Sequence, residues 1–354
     1  MKILYAGELA LGTSSSYRLK ALERLGHQII SIDPLDYVFR NQVLHKIAFR
    51  LSAGPQAYRL NRDLLRLIEA ERPDLFWADK VLLLKPRTLE AMTARGVVTV
   101  SYMIDNAFGP RQDPGWRLYM KDIPYFDLHI TQRDVSLADY MQHGAQDAMK
   151  VQTAFEPTIH FPSPVKVTDQ DRDREISFIG TPYDDRALTL TKVNDTGLPV
   201  AISGNPRAWR RALSAPAFDS MFRIGELYEQ DYREAIWKSK INLSFLTHSN
   251  QDEYAHKSFE IAGCGGFLMA ERSEGHSLKF EENVEAVFFS DTKELVEKIK
   301  RYLPDEQARM RIAAAGRARA VRAGYDNDHQ VASIIERAEQ IVARKKRGPR
   351  SNGI

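Results

Sequence analysis

Residues 256–271 run His256-Lys257-Ser258-Phe259-Glu260-Ile261-Ala262-Gly263-Cys264-Gly265-Gly266-Phe267-Leu268-Met269-Ala270-Glu271. A cation and a hydroxyl open a short helical stretch, glycines crowd its end, and an apolar run follows that reads as a strand. Helix starts present unpaired N–H groups and a partial positive charge, so they favour a phosphate. Lys257 adds a full positive charge there. Glu260, one turn further on, can accept hydrogen bonds from ribose hydroxyls. Gly265 and Gly266 let the turn approach its neighbours closely. A plainer reading stays open beside this one: a helix that starts with Lys-Ser, ends in a glycine cap and leaves Glu260 exposed.

Helix, turn and strand in that order are one period of an alternation that runs through the chain. In the second half the strand patterns are Glu175–Gly180, Val200–Gly204, Ile241–Leu246, Gly266–Glu271 and Ala286–Ser290, with helices Tyr232–Ser239 and Lys293–Tyr302 between them. In the first half Lys2–Gly7, Gln28–Asp33, Leu75–Asp79, Val97–Met103 and Leu128–Thr131 alternate with helices Tyr17–Leu25 and Tyr58–Glu71. Strands separated by helices of this length need crossover connections and hence a parallel sheet covered on both faces. Between the halves, Pro157, Pro162 and Pro164 and the charged run Asp169–Glu175 read as a linker. The chain closes with helices Glu306–Ala323 and Asp328–Ala343. The fold class is therefore α/β, with two Rossmann-like parallel-sheet domains facing a cleft lined by strand C-terminal ends.

Composition narrows the classes of function. The chain has 354 residues, 43% of them hydrophobic and 27% charged, with a formal net charge of +3. That describes a globular protein of two ordinary domains and no general affinity for nucleic acid. The one dense basic cluster is the tail Arg344, Lys345, Lys346, Arg347 and Arg350, read as a frayed, solvated end. The single cysteine, Cys264, excludes an internal disulfide and fits a reducing compartment. Neither a signal peptide nor a membrane span is visible, so a cytoplasmic protein is expected, with any membrane contact peripheral.

The 256–271 segment resembles the donor-site signature of GT-B glycosyltransferases, specifically the group that includes CgeB-like spore-maturation proteins. The likeness rests on Lys257-Ser258-Phe259-Glu260 and Ala262-Gly263-Cys264-Gly265, and downstream on Phe280-Glu281, Ala286–Ser290, Arg309 through Gly316 and Tyr325. Upstream it includes Ile176 through Gly180 with Arg186, and Asp231-Tyr232 through Leu243. In the first half it is looser, resting on Arg72-Pro73-Asp74, Tyr102 through Asp105 and Phe126-Asp127. The resemblance implies an acceptor-binding domain over 1–160 and a nucleotide-sugar domain over 161–325. It also implies terminal helices that return to the first domain, with the basic tail in 326–354. It implies transfer from a nucleotide-diphosphate sugar to a hydroxyl acceptor (a glycan, a lipid-linked glycan or a protein) without an essential metal or other cofactor.

On that resemblance Lys257, Ser258 and Arg186 go to the diphosphate, Glu260 to the ribose and Asp252 to the sugar, while Gly180 and Thr181 border the nucleotide. Lys257 stands where arginine is usual, and Asp252 where related retaining enzymes carry the first of two glutamates. These departures motivate a second class, a non-catalytic nucleotide-sugar- or glycan-binding relative of the same fold. A third class, an epimerase or phosphorylase on this fold, differs in that a phosphorylase carries a lysine-bound pyridoxal group. Arg186 also reads simply as a surface residue at a helix start.

Three further places carry candidates. Gly12, Thr13 and Ser14 follow the first strand in a near P-loop that has Thr13 where the lysine belongs, so an NTPase is not supported. That loop reads as a donor- or acceptor-facing loop or as a plain turn. Asp105, just past the fourth strand, is placed either as the base that takes an acceptor proton or as an Asx cap formed together with Asn106. His248 and His256 flank the donor segment, as phosphate or sugar contacts or as ordinary surface polar groups, and His129 reads as structural.

Overall fold

The computed structural model describes residues 1–39, 41, 54–110 and 115–346. Arg347 and Arg350 of the basic tail therefore lie outside the described residues. The chain divides into two compact units, one of Met1–Gln152 with Asp328–Ile354 and one of Thr153–Asn327.

The first unit holds a six-stranded sheet of order β2-β1-β3-β4-β5-β6. Its strands are β1 Lys2–Ala6, β2 Gln28–Ile32, β3 Leu75–Asp79, β4 Val98–Tyr102, β5 Leu128–Thr131 and β6 Ala148–Lys150. Every neighbouring pair is parallel. Side chains alternate between the faces, as a strand's two-residue period requires. Ile3, Tyr5, Leu75 and Trp77 pack on one side, and Leu4, Ala6, Phe76 and Ala78 on the other. The last helix, Asn327–Lys346, supplies Val331, Ile334, Ile335, Ala338 and Ile341 to the first of those cores.

The second unit holds the order β12-β11-β10-β7-β8-β9. Its strands are β7 Arg174–Ile179, β8 Val200–Ser203, β9 Phe222–Ile224, β10 Ser239–Ser244, β11 Leu268–Glu271 and β12 Val287–Phe289. All five pairings are parallel. Read from β9, this is the doubly wound order in which the first strand, β7, sits beside the fourth, β10. Ile176, Phe178, Ile241, Leu243 and Met269 face one core, and Leu268, Ala270 and Phe288 the other.

Two expectations need correction. Helix Glu306–Arg322 does not return to the first domain. Ala308, Ile312 and Ala313 bury it in one core of the second unit and Ala320 in the other, so only the final helix joins the first. The tail is also not frayed where it begins, because the helix continues to Lys346 and Lys345 Nζ pairs with Asp127 Oδ2 at 2.8 Å. Among the described residues no helix is long and apolar enough to cross a membrane.

Candidate functional site

In a doubly wound sheet, ligands bind beyond the strand C-terminal ends, where the order reverses. In the second unit that point lies between β7 and β10. Strand β7 runs out into Gly180 and Thr181, and β10 into Phe245, Leu246 and Thr247. Arg186 joins the two ends. Its guanidinium donates to the carbonyls of Thr181 at 3.1 Å and Leu246 at 2.9 Å, and to Thr247 Oγ1 at 2.9 Å. The residue is buried, which corrects the surface reading, and its forked donors face the protein's own backbone instead of an open diphosphate site. Burial lowers its pKa against the pull of Asp184 and Asp252. Only Nε is buried without a partner.

The helix that follows β10 is His256–Gly263. Ala255 precedes it with no side-chain cap, so its first amides have no hydroxyl or carboxylate on them. The glycines end it as expected. Gly265 takes a left-handed φ of 68°, the Gly266 N–H reaches the Ile261 carbonyl at 2.9 Å, and the Gly265 N–H reaches Ala262 at 3.0 Å. That pair of bonds is a Schellman turn.

Lys257 and Glu260 are not on an outer face. The Lys257 ammonium lies 4.9 Å from the centre of the Tyr232 ring, and its stem passes Gly180 so closely that a Cβ there would come within 3.1 Å of Lys257 Cε. Among the described residues no carboxylate lies within ion-pair distance of it, and burial lowers its pKa against the raising influence of Glu260. A cation held here without a counter-ion is an incomplete arrangement that an anion would complete.

Glu260 is buried, which excludes the exposed reading. Tyr232 donates to its Oε2 at 2.6 Å, and His256 Nε2 lies 3.1 Å from Oε1, with His160 Nε2 at 3.8 Å. Burial alone would raise its pKa. The charge of His256, with smaller contributions from His160 and Lys257, outweighs this and holds the carboxyl well below its ordinary range. His256 also bonds Thr153 Oγ1 through Nδ1. It therefore orients Glu260 from within.

Ser258 is fully buried, with Oγ 2.9 Å from both Ser244 Oγ and His276 Nε2. Its hydroxyl braces the helix from beneath, which corrects its assignment to the diphosphate. His276 Nδ1 donates to the Glu271 carbonyl at 2.7 Å and Nε2 accepts from the Ala255 N–H at 3.2 Å, so the ring is neutral, with burial lowering its pKa to about 4. Asp252 turns inward as well, accepting from the Thr247 N–H at 3.3 Å and Asn250 Nδ2 at 2.9 Å. His248 pairs with Glu271 at 2.7 Å on an exposed edge. A cavity of about 210 Å³ opens beside these groups, lined by Asp184, Arg186, Leu246, His248, Glu271 and Asp291 among others.

The remaining candidates belong to the first unit. Thr13 caps the helix Ser14–Arg24, accepting from the Ser16 N–H at 3.2 Å, next to Gly12 at φ 81°. Ser14 Oγ accepts from Arg18 at 3.4 Å. Asp105 lies beyond β4 and pairs with Lys80 Nζ at 2.6 Å. The Asx turn is made by Asn106, whose Oδ1 accepts from the Phe108 N–H at 3.0 Å. His129 is structural: buried, bonded to the Ile123 carbonyl, and lowered by burial to about 4. Sequence reasoning passed over Tyr232 as a partner of Glu260, and over His160 and His276, which come from stretches with no local signal. Among the described residues no group of three or more His, Cys, Asp or Glu side chains is placed to hold a metal ion.

Comparisons with known proteins bear on the fold. Sucrose-phosphate synthase of Thermosynechococcus elongatus superposes with a TM-score of 0.68 at 12% identity, covering 97% of this chain and 100% of that one. Anabaena HepE in complex with UDP and glucose gives 0.63 at 13%, covering 96% and 100%. The E. coli trehalose-6-phosphate structure bound with UDP-2-fluoro glucose gives 0.67 at 13%, covering 96% and 99%. A formate-dependent phosphoribosylglycinamide formyltransferase of Leptothrix cholodnii is 40% identical over 82 residues, which is 23% of this chain and 18% of that enzyme. The chain thus spans about a fifth of the length of the curated relatives it matches. Residues 186–336 match the family described as glycosyl transferase-like. The chain has the GT-B fold of these neighbours, and its residues 186–336 are similar to the glycosyl transferase-like family.

Proposed function

We propose that the chain is a glycosyltransferase of the CgeB-like kind, moving a hexosyl or deoxyhexosyl group from a nucleotide-diphosphate sugar to a hydroxyl acceptor. The observation that carries this reading is the Lys257 ammonium, set at the start of the His256–Gly263 helix without a carboxylate partner among the described residues. The UDP and UDP-sugar bound to the HepE and E. coli neighbours support the same donor class.

As the bond from the sugar's anomeric carbon to the diphosphate breaks, its electron pair passes to a phosphate oxygen. Lys257 and the first amides of the helix stabilise that charge without a metal. Glu260 accepts from the ribose hydroxyls. A carboxylate offers about four lone-pair sites, and Tyr232 and His256 hold it in place while leaving capacity for the ligand. Gly180 and Thr181 border the nucleotide, and Arg186, Ser258 and Asp252 fix the loops around it. The acceptor, a glycan, lipid-linked glycan or protein, is assigned to the first unit. Asp105 receives its proton where the transfer inverts the anomeric centre, and the loop Gly12–Ser14 contacts donor phosphate or acceptor.

The test is a panel of UDP-, GDP- and dTDP-sugars, each followed by nucleotide release and by thermal shift, with and without EDTA. One base should stabilise the protein and release nucleotide, with EDTA making no difference. No response to any nucleotide would sink the reading.

A further inference from the structure

A feature left unused by that reading lies at the other edge of the second sheet. A cavity of about 380 Å³ sits at the strand N-terminal ends, against Ser239 at the start of β10 and Gly266 and Phe267 just before β11. That volume falls within the range of roughly 300–1,000 Å³ usual for small-molecule sites. The donor side chains gather at the opposite, C-terminal ends.

One part of the lining is apolar: Trp237, Phe267, Met310, Ala313 and Val167. The other part is cationic. Lys166, Arg172, Lys240, Arg309 and Arg317 line the cavity, and among the described residues no acidic side chain does. Three of these cations are neutralised from outside the lining. Arg309 and Arg172 pair with Asp169 at 2.5 and 3.0 Å, and Lys240 pairs with Glu175 at 3.0 Å.

The other two have no carboxylate partner among the described residues. Lys166 is exposed at the rim. Arg317 is half-buried, donates through Nη1 to the Gly263 carbonyl at 2.8 Å, and stacks 5.1 Å from the centre of the Phe155 ring. Burial pulls its pKa down. Next to the cavity, Arg233 lies 4.6 Å from the Phe161 ring and 5.8 Å from Trp237, with its buried Nε unpartnered. Half-buried guanidinium groups with no ion-pair contact among the described residues (Asp326 acts on Arg317 only from farther off) favour, beside an apolar wall, an anion that brings apolar surface with it.

We propose that this cavity is a second ligand site, separate from the donor site, and that it takes a small amphipathic anion. The ligand carries one carboxylate, sulfonate or phosphate for Arg317 and Lys166 and an apolar chain or ring for Trp237, Phe267 and Met310. Such a group comes from a free metabolite or from an anionic lipid, and the chemistry of recognition is the same.

The test is a titration of the full chain with 1-anilinonaphthalene-8-sulfonate, followed by fluorescence at neutral pH. Binding saturates at one site, UDP leaves it unchanged, and an anionic competitor displaces it. Displacement by decanoate identifies a free amphipathic anion. Displacement by phosphatidylglycerol vesicles, with phosphatidylcholine vesicles inert, identifies a lipid. Arg317→Gln weakens the probe by about tenfold, and Ala314→Trp, at the exposed rim, blocks it. If Arg317→Gln lowers the melting temperature, Lys166→Gln replaces it and shows the same direction of change. The site is refuted if no saturable binding occurs, if UDP competes, or if the folded variants bind the probe as the parent does.

Discussion

Tyr232, on the helix Glu229–Trp237 that precedes β10, donates its hydroxyl hydrogen to Glu260, on the helix that follows it, at 2.6 Å. The bond fixes a buried carboxylate whose other oxygen lies beside His256. Hydrogen bonds to a charged group contribute about 1.5–3 kcal/mol. Tyr232→Phe keeps the ring under Lys257 and removes only the donor. It should lower the melting temperature by roughly 3–10 °C, while a nucleotide still binds. Calorimetry with and without UDP separates the two effects.

Lys257→Gln should weaken binding of the matching nucleoside diphosphate by roughly ten- to a hundredfold, the loss of one charge-assisted contact. Lys257→Arg, which keeps the charge, should bind far more like the parent. Isothermal titration of both variants measures this. Equal affinity in parent and glutamine variant would remove Lys257 from the site.

Acid should destabilise the protein before ordinary carboxylates titrate. Burial lowers His129, His160 and His276 each to about 4, whereas an unfolded histidine titrates near 6.5. Between those values the unfolded chain binds protons that the folded chain does not. The stability these neutral rings allow is thus complete above pH 6.5 and falls as pH drops towards 4. Calorimetry at pH 5 in buffers of different ionisation heat should show about two protons taken up on unfolding, the three rings' uptake less the one that buried Asp122 releases. A melting temperature flat from pH 7 to 4.5 would contradict this.

Asp122 has the opposite sign. It is fully buried, neither oxygen has a partner among the described residues, and burial raises its pKa to about 8. The folded state therefore holds a proton that the unfolded state has released, and stability falls as pH rises from about 4 to 8. Asp122→Asn should melt close to the parent near pH 4, above it at pH 6 and further above it at pH 9. A difference that does not grow with pH would show that the carboxyl is not the cause.

The central strands were legible because both their faces are buried, which leaves runs such as Leu75–Asp79 and Leu128–Thr131 with little polar interruption. The edge strands Ala148–Lys150 and Phe222–Ile224 were not, since their half-exposed residues make no apolar run, unlike the buried edge strand Val287–Phe289. Residue types in the donor segment were legible too, but their directions were not. Sequence shows Ser258 at a helix start. Only the fold shows that Ser244 and His276, from other segments, draw its hydroxyl inward. Arg186 is the same case, a cation whose donors meet carbonyls at a strand reversal. Its counterpart in the first sheet, Arg18, went unnoticed although it is buried against Asp79 at 2.6 Å where β1 lies beside β3.

The final helix gives the chain an order of events. The first unit's core includes Val331 through Ile341, yet its strands are all made before residue 151. On a ribosome, the early sheet waits with one apolar face uncovered while the whole middle unit is translated. The middle unit is continuous in sequence and can close first. The opening strands are then sealed only after that, by Val331 through Ile341, and until that moment their bare face is open to aggregation or to a chaperone.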